Sequence, residues 1–581
     1  MKTSDVVSCW ENFIENNCLE ALENQIRLKN FWMNINFNKI MKFEPEFANY
    51  ILDNFQTSLE IGELIILKKY NLLEFEVRLV NLPKSCEINI SELRSENLDK
   101  LIVLEGIIKQ KSNVRPKLVA SKKECSLCRN IIVFEYFGEK LKFFKKCSCG
   151  NNGFLREISS KLIDEQLLLL EESLETFKGF APKQIKLILE KDLTSHLLDM
   201  NSPPGSKIKV VGEVRKVPII SRDREKLAHF DTLIKVNSFE ILTENFFDVL
   251  KPEERELFIK KSKELNFEKK LIESFAPGIY GHENVKKALM LCLVGGSKDK
   301  FSRNDLNLLV SGEPGIGKSC LAKFFKKISP KCRIASGESS SGVGLTATVL
   351  RDELTGGWTI QAGLLPLCNN GHVVLDEIDK LRPEELQSLQ SALASQEIHI
   401  SKATVSGTLP CKVGVFAICN PKEGYFDKDN SLFEQLNINS TLLDRFDLIF
   451  FLKDIPSSND KKIAETIISR EKSTPCFDEL FLKKYLLFCT SHKIKWTDEL
   501  NEFSKKLYQK IRNASYQKSN LRANPRTFES LRRLSTANAK LRLAEFVSKD
   551  DVMTAFYLLN SCFNFIDEAN SNNIVEEEEV L

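Results

Sequence analysis

Eight consecutive residues carry the strongest chemical signal in the chain: Gly312, Glu313, Pro314, Gly315, Ile316, Gly317, Lys318 and Ser319. They follow an apolar run, Leu306 to Val310, and precede a helix-patterned run, Cys320 to Lys327. The spacing satisfies GxxxxGK[ST] in the strand, loop, helix context that gives the motif its meaning. Glycines let the backbone curl until successive N–H groups face a phosphate. Lys318 is then placed to reach β and γ oxygens and Ser319 to ligate magnesium. The predicted ligand is a nucleoside triphosphate with Mg2+.

A second apolar run, Gly371 to Leu375, ends in Asp376-Glu377 about sixty residues downstream. Carboxylates at the C-terminal end of a strand can face a phosphate loop, where Asp376 would hold magnesium and Glu377 would polarise an attacking water. Such a pair is otherwise an ordinary solvated turn; the upstream loop favours the catalytic reading. A third run, Val413 to Ile418, leads to Asn420, a polar side chain able to orient water or sense a γ-phosphate. Arg445, between Leu442-Leu443-Asp444 and Phe446-Asp447, reads on its own as a surface or ion-paired arginine.

Four thiols form a separate constellation. Cys125 and Cys128 are separated from Cys147 and Cys149 by β-patterned sequence between Ile131 and Phe144. Two ligand pairs from facing turns suit tetrahedral zinc with no open coordination position, hence a structural ion. The second pair is CxC where CxxC is commoner, and four free thiols are the alternative. Most of the other cysteines, among 16 in all, stand singly inside apolar segments, as buried reduced thiols do.

The elements that must position these groups follow from pattern and length. At 581 residues, several domains are expected. Residues 1–85 read as an N-terminal helical lobe. Residues 86–245 carry short β-branched runs, predicting a β-barrel with inserted hairpins, among them the four-thiol zinc ribbon at about 120–155. Residues 246–275 read as a linker helix, 276–455 as a three-layer P-loop α/β domain, 456–565 as a helical lid and 566–581 as an acidic tail. The fold class is thus multidomain α/β and β. A net charge of +3 confines any nucleic-acid contact to local basic clusters. No stretch approaches about 18 uninterrupted apolar residues, and the N-terminus lacks an apolar targeting core, so an intracellular protein without a membrane partner is expected.

Taken in order, Ala276-Pro277-Gly278-Ile279-Tyr280-Gly281-His282, the phosphate loop, Gly344-Leu345-Thr346-Ala347, Gly357-Trp358, Ala362-Gly363, Leu375 to Lys380 and Arg445-Phe446-Asp447 resemble the minichromosome maintenance (MCM) helicases of the AAA+ class over nearly the whole chain. The resemblance implies an ATP-hydrolysing ring that unwinds DNA at replication origins and forks, translocating 3′ to 5′ on single strands. It implies Asn420 as sensor 1, Arg445 as an arginine finger reaching a neighbour's ATP and Arg526 as sensor 2. It also implies two working insertions, about Ser341 to Thr359 and the hairpin around Lys402, where the family's pore lysine falls.

In the N-terminal half, Leu104 to Ile108, Val114 to Pro116 and Pro204 to Val214 resemble the family's OB strands. Ser221 to Lys226 would form a hairpin with Arg222, Arg224 and Lys226 on phosphates; a solvated charged turn is the competing reading, since Asp223 and Glu225 interleave. Expected partners are single-stranded and forked DNA, further copies of the chain in a homohexamer or double hexamer, and other fork proteins. The location would be cytoplasmic and nucleoid-associated in an archaeon, or nuclear in a eukaryote. Two departures stand out. Asp444 replaces the serine usual before the finger, and the sequence ends soon after Asp550 to Phe565, so an archaeal-like chain without the C-terminal winged-helix domain is expected. The alternative function is a DNA-encircling AAA+ loader or scaffold.

Overall fold

A computed structural model of the protein describes residues 3–135, 147, 149, 155–173, 182–220, 226–242, 250, 252–297, 303–338, 342–351, 358–402, 405–427, 430–454, 464–465, 475–518 and 523–563. The chain divides into two compact units. The first comprises Met1–Thr243, Val349–Gln361 and Ala403–Val405; the second comprises Glu244–Thr348, Ala362–Lys402 and Ser406–Leu581.

The first unit begins with a lobe of five helices between Thr3 and Tyr70 around two short parallel strands, β1 (Trp32–Asn36) and β2 (Glu76–Val80). Aromatic side chains fill it: Trp10, Phe13, Phe37 and Phe47 are fully buried, with Trp10 edge-on to Phe47 at 5.3 Å. Such edge-to-face pairs add to the stabilisation from area burial alone.

Seven strands follow: β3 (Leu101–Lys111), β4 (Arg115–Cys125), β5 (Ile131–Glu135), β6 (Leu155–Glu172), β7 (Gln184–Glu190), β8 (Lys207–Ile220) and β9 (Lys226–Ile241). Five of them close into a barrel in the order β3, β8, β9, β7, β6, with β6 returning to pair with β3. Closure requires β3 to pass tightly over β6. A Cβ at Gly106 would lie 2.7 Å from the Glu171 carbonyl, so only glycine fits there. Alternating inward residues Ile102, Leu104, Ile108, Leu168, Leu170, Leu187, Val210 and Ile234 make the barrel core. β4 and β5 extend from β6 as an antiparallel arm. This is the expected OB-type barrel with its inserted ribbon.

The second unit opens with two helices, Pro252–Ser262 and Phe267–Ser274, where one linker helix was expected. The first helix ends at Ser262, and Asn266, which caps the start of the second, adopts φ 62°, a left-handed conformation that asparagine tolerates better than most residues. Glu283–Val294 follows as a helix buried along almost its whole length. Then come β10 (Leu308–Gly312) and β11 (Cys332–Ser336). Of the next two strands, β12 (Ala347–Arg351) lies within the expected insertion and β13 (Trp358–Ala362) begins at its end; within the first unit, Ile360 and Gln361 stand opposite Lys111 and Gln110 of β3. The described part of this insertion is a short helix, Gly342–Leu345, followed by strand.

β14 (Gly371–Asp376), a hairpin of β15 (Glu397–Lys402) and β16 (Val405–Pro410), β17 (Val413–Cys419) and β18 (Leu448–Leu452) complete the strands. The central sheet is all parallel in the order β11, β14, β17, β10, β18. Every residue of β10 and β17 is buried, as both faces of such a sheet are covered by helices. Four helices, Glu479–Ser491, Asp498–Lys518, Pro525–Leu541 and Lys549–Phe563, form the helical end of this unit.

Candidate functional site

The phosphate loop occupies the C-terminal end of β10 and leads into the helix Lys318–Ile328. Gly315 (φ 91°) and Gly317 (φ 94°) take left-handed conformations that β-carbons would strain, so the loop curls as its glycines require. Lys318 is buried, and its Nζ donates to the carbonyl oxygens of Gly312 and of Glu313 (2.7 Å), which turns the ammonium inward over the loop. Burial pulls its pKa below the usual lysine range. The Glu313 carboxylate plays an unexpected part. It accepts from the backbone N–H groups of Phe426 (3.1 Å) and Asp454 (3.0 Å), fastening the loop to two distant segments. Those two bonds hold its carboxyl below the ordinary range.

Parallel order brings the other candidates to the same edge of the sheet. β14 ends at Asp376, whose Oδ2 lies 3.4 Å from Ser319 Oγ. A hydroxyl and a carboxylate converging beside a phosphate loop are the donor set that suits magnesium. Asn420 emerges from β17, which lies between β14 and β10, and so stands between the loop and Asp376. Glu377 is held at both oxygens, accepting from Ser336 Oγ (3.0 Å) and Lys380 Nζ (2.9 Å). The lysine contact keeps its carboxyl below the ordinary range. Ser336, paired in register with Asp376, was not among the residues the sequence singled out; its only signal is a polar residue closing an apolar strand.

The two arginines lie elsewhere. Because β18 runs parallel to β10 with Leu448 opposite Leu308 and Leu452 opposite Gly312, Arg445 precedes the sheet at its N-terminal edge, whereas the phosphate loop leaves the C-terminal edge. About 13 Å of strand, at 3.3 Å per residue, separates those edges. Arg303 Nη2 (3.0 Å) and Asn307 Nδ2 (3.2 Å) both donate to the Arg445 carbonyl oxygen. The Arg445 guanidinium forms no ion pair among the described residues. Burial, and then the neighbouring charges of Arg526 and Arg303, lower its pKa, so Arg445 and Arg526 share one electropositive neighbourhood. Arg526 is exposed in the first turn of Pro525–Leu541, beneath the Asn524 cap.

His372 in β14 contributes structure instead of chemistry. Its Nδ1 meets Ser329 Oγ (2.9 Å), its Nε2 meets the Cys292 carbonyl (3.1 Å), and the ring stands edge-on to Phe325. Burial pushes its pKa from 6.5 down to about 4. The folded value lies below the unfolded one, so the stability due to a neutral His372 is complete above about pH 6.5 and declines as pH falls toward 4. The thermal midpoint should drop across that window, and His372→Gln should flatten the drop; a wild-type slope in the variant would assign the effect to other groups.

The cysteine cluster is assembled as expected. The four Sγ atoms of Cys125, Cys128, Cys147 and Cys149 all lie within 4.8 Å of one another, and no disulfide joins them. Cys125 to Cys149 is 3.7 Å and Cys128 to Cys147 is 3.5 Å. A tetrahedron of Zn–S bonds near 2.3 Å has edges of about 3.8 Å, so the donor set fits zinc, CxC spacing included. Cys128→Ser should reduce zinc, measured colorimetrically after denaturation, from about one per chain to a small residue; unchanged stoichiometry would place the metal elsewhere.

Of the expected DNA contacts, Lys402 ends β15 with its side chain outside the described residues. Arg222 and Arg224 lie wholly outside them, and Lys226 opens β9 with its side chain likewise undescribed. No helix among the described residues is long and apolar enough to cross a membrane.

Comparison with known proteins agrees with this layout. Residues 89–218 match the MCM OB domain, 254–471 the MCM P-loop domain and 480–563 the MCM AAA-lid domain. The chain is 30% identical over 94% of its length to the minichromosome maintenance protein MCM of Saccharolobus solfataricus, covering 83% of that protein. It is 27% identical over 93% of its length to the DNA replication licensing factor MCM4 of Drosophila melanogaster, covering 66% of it. It is 28% identical over 81% of its length to the licensing factor mcm7-B of Xenopus laevis, covering 68%.

Proposed function

The chain belongs to the minichromosome maintenance family, and from that premise we propose that it is an ATP-driven replicative DNA helicase working as a hexameric ring, with each hydrolytic site shared by two subunits. The observation that carries the reading is the position of Arg445. It is fixed at the sheet edge opposite its own phosphate loop, its guanidinium has no ion pair among the described residues, and it feels the charge of a second arginine, Arg526. Two arginines in one electropositive neighbourhood, whose mutual repulsion the adjacent Asp444 only partly offsets, suit a phosphate brought by another molecule of the same chain.

In this reading the loop N–H groups and Lys318 bind the triphosphate, and Asn420 and Glu377 orient and polarise the lytic water. Magnesium held by Ser319 and Asp376 would neutralise charge on the β and γ oxygens. Arg445 and Arg526 of the adjacent subunit stabilise the charge that develops as the γ-phosphoryl leaves. Hydrolysis then depends on the subunit interface, so that interface can move with it. The hairpin tip at Lys402 would supply one ammonium per subunit to a strand in the channel, a sequence-independent and salt-sensitive grip. The zinc-bearing barrel would form the collar through which DNA passes. Polarity, 3′ to 5′, and a homomeric ring follow from the family resemblance. The place of action is the archaeal cytoplasm or the eukaryotic nucleus.

Strand displacement from forked DNA is the deciding measurement. Wild-type protein should show DNA-stimulated ATPase and unwinding, both declining with salt. Lys402→Ala should keep basal ATPase within about twofold and lose unwinding by at least tenfold. ATPase without displacement across a range of salt, with stable duplex encirclement, would support a DNA-encircling loader instead.

A further inference from the structure

We propose that Asp447 is a positioning residue that ties the finger loop to the lid helix Pro525–Leu541, so that Arg445 and Arg526 are presented to the neighbouring nucleotide as one rigid unit; this rests on the shared-site reading above. Asp447 is 2% exposed, and both carboxylate oxygens are committed. Oδ2 accepts from Arg303 Nη2 (2.9 Å) and from the backbone N–H of Asn307 (2.8 Å). Oδ1 accepts from Arg533 Nη2 (2.7 Å) and from Ser530 Oγ (2.5 Å).

Each side of this carboxylate leads to one of the two arginines. On the Oδ2 side, the same Arg303 Nη2 and the Asn307 side chain hold the Arg445 carbonyl oxygen, so finger backbone and Asp447 share donors. On the Oδ1 side, Ser530 and Arg533 follow Arg526 at i+4 and i+7 of one helix. That spacing puts all three on a single stripe, with Arg526 at the tip and the two ties beneath it.

A carboxylate is the group this junction needs. Four guanidinium groups, those of Arg303, Arg445, Arg526 and Arg533, gather at one end of the unit, and two of them meet at Asp447 in a water-poor setting. An amide of the same shape would keep one acceptor and lose the charge that holds two cations together. Removing the tie should therefore leave the chain's own phosphate loop intact and let the finger and the lid arginine move independently.

The test is a mixing experiment with full-length Asp447→Asn. Alone, this protein should bind a fluorescent ATP analogue within threefold of wild type and hydrolyse ATP at least thirtyfold more slowly. Mixed with Lys318→Ala protein it should recover, because its sound phosphate loop then receives arginines from a neighbour with an intact tie. Mixed with Arg445→Ala protein it should stay inactive, since neither partner presents a competent finger. A general structural defect would not sort partners in this way. Arg533→Lys, which keeps the cation but shortens the fork, repeats the test if Asp447→Asn is insoluble. The mixture of Lys318→Ala with Arg445→Ala is the control: failure there refutes the shared site itself. Where that control recovers, wild-type turnover in both tie variants, or their rescue by Arg445→Ala instead of Lys318→Ala, would overturn the role assigned to Asp447.

Discussion

Arg445→Ala should lower ATP turnover by a factor of about 10³ or more, the lower end of what an inserted arginine supplies in phosphoryl transfer. Nucleotide affinity of the same chain should change little, because Arg445 stands at the sheet edge remote from its own phosphate loop. Few single changes in this protein are expected to separate binding from hydrolysis so completely. Lys318→Ala gives the opposite defect, losing binding and turnover together, since the ammonium sits inside the loop on the Gly312 and Glu313 carbonyls. Two proteins that are each inactive should regain a substantial part of wild-type ATPase when combined in one ring. Recovery is read as turnover against mixing ratio, with mixed assemblies verified by native mass. A flat line at every ratio would mean that finger and loop do not meet across a subunit boundary.

Glu377→Gln is expected to have the second-largest effect. A positioned general base is worth about 10² to 10⁴ in rate, and the amide cannot take a proton from water. Its fold should survive, because an amide can still accept from Ser336 Oγ at the position now held at 3.0 Å. The variant should therefore bind ATP normally and retain it, with single-turnover hydrolysis slowed at least a hundredfold. Such a protein would also be the natural reagent for observing the ring in its ATP-bound form on DNA. If turnover fell less than tenfold, another group would be activating the water.

The site was legible in the sequence in proportion to how locally its chemistry is written. Phosphate binding needs backbone N–H groups from one tight loop, so Gly312 to Ser319 declare themselves in eight residues. The Asp376-Glu377 pair and Asn420 could be placed because each ends an apolar run, and a parallel sheet delivers strand ends to one edge. The cysteine cluster was readable from spacing, since metal geometry restricts it. What pattern could not reveal was the order of the strands, hence which edge Arg445 occupies. Nor could it reveal the anchorage of Arg445 by Arg303 and Asn307 and of Asp447 by Ser530 and Arg533, drawn from sequence positions more than two hundred apart. Each is an ordinary polar residue in its local window. The break between Ser262 and Phe267 was not legible because the four residues there include no glycine or proline, and only the φ of Asn266 identifies the turn.

One detail of the Asp376-Glu377 corner bears on how this protein could be improved or spoiled. Glu377 sits at φ 56°, ψ 47°, a left-handed conformation in which a β-carbon costs about 1 to 2 kcal/mol. Asparagine or glycine would be more comfortable there. A search for heat-resistant variants that ignored turnover would thus be drawn toward the very position proposed to activate the water, and on that reading robustness would rise as hydrolysis fell. The strain is a fixed tax on the folded chain, levied at the carboxylate to which the proposed mechanism assigns the attacking water.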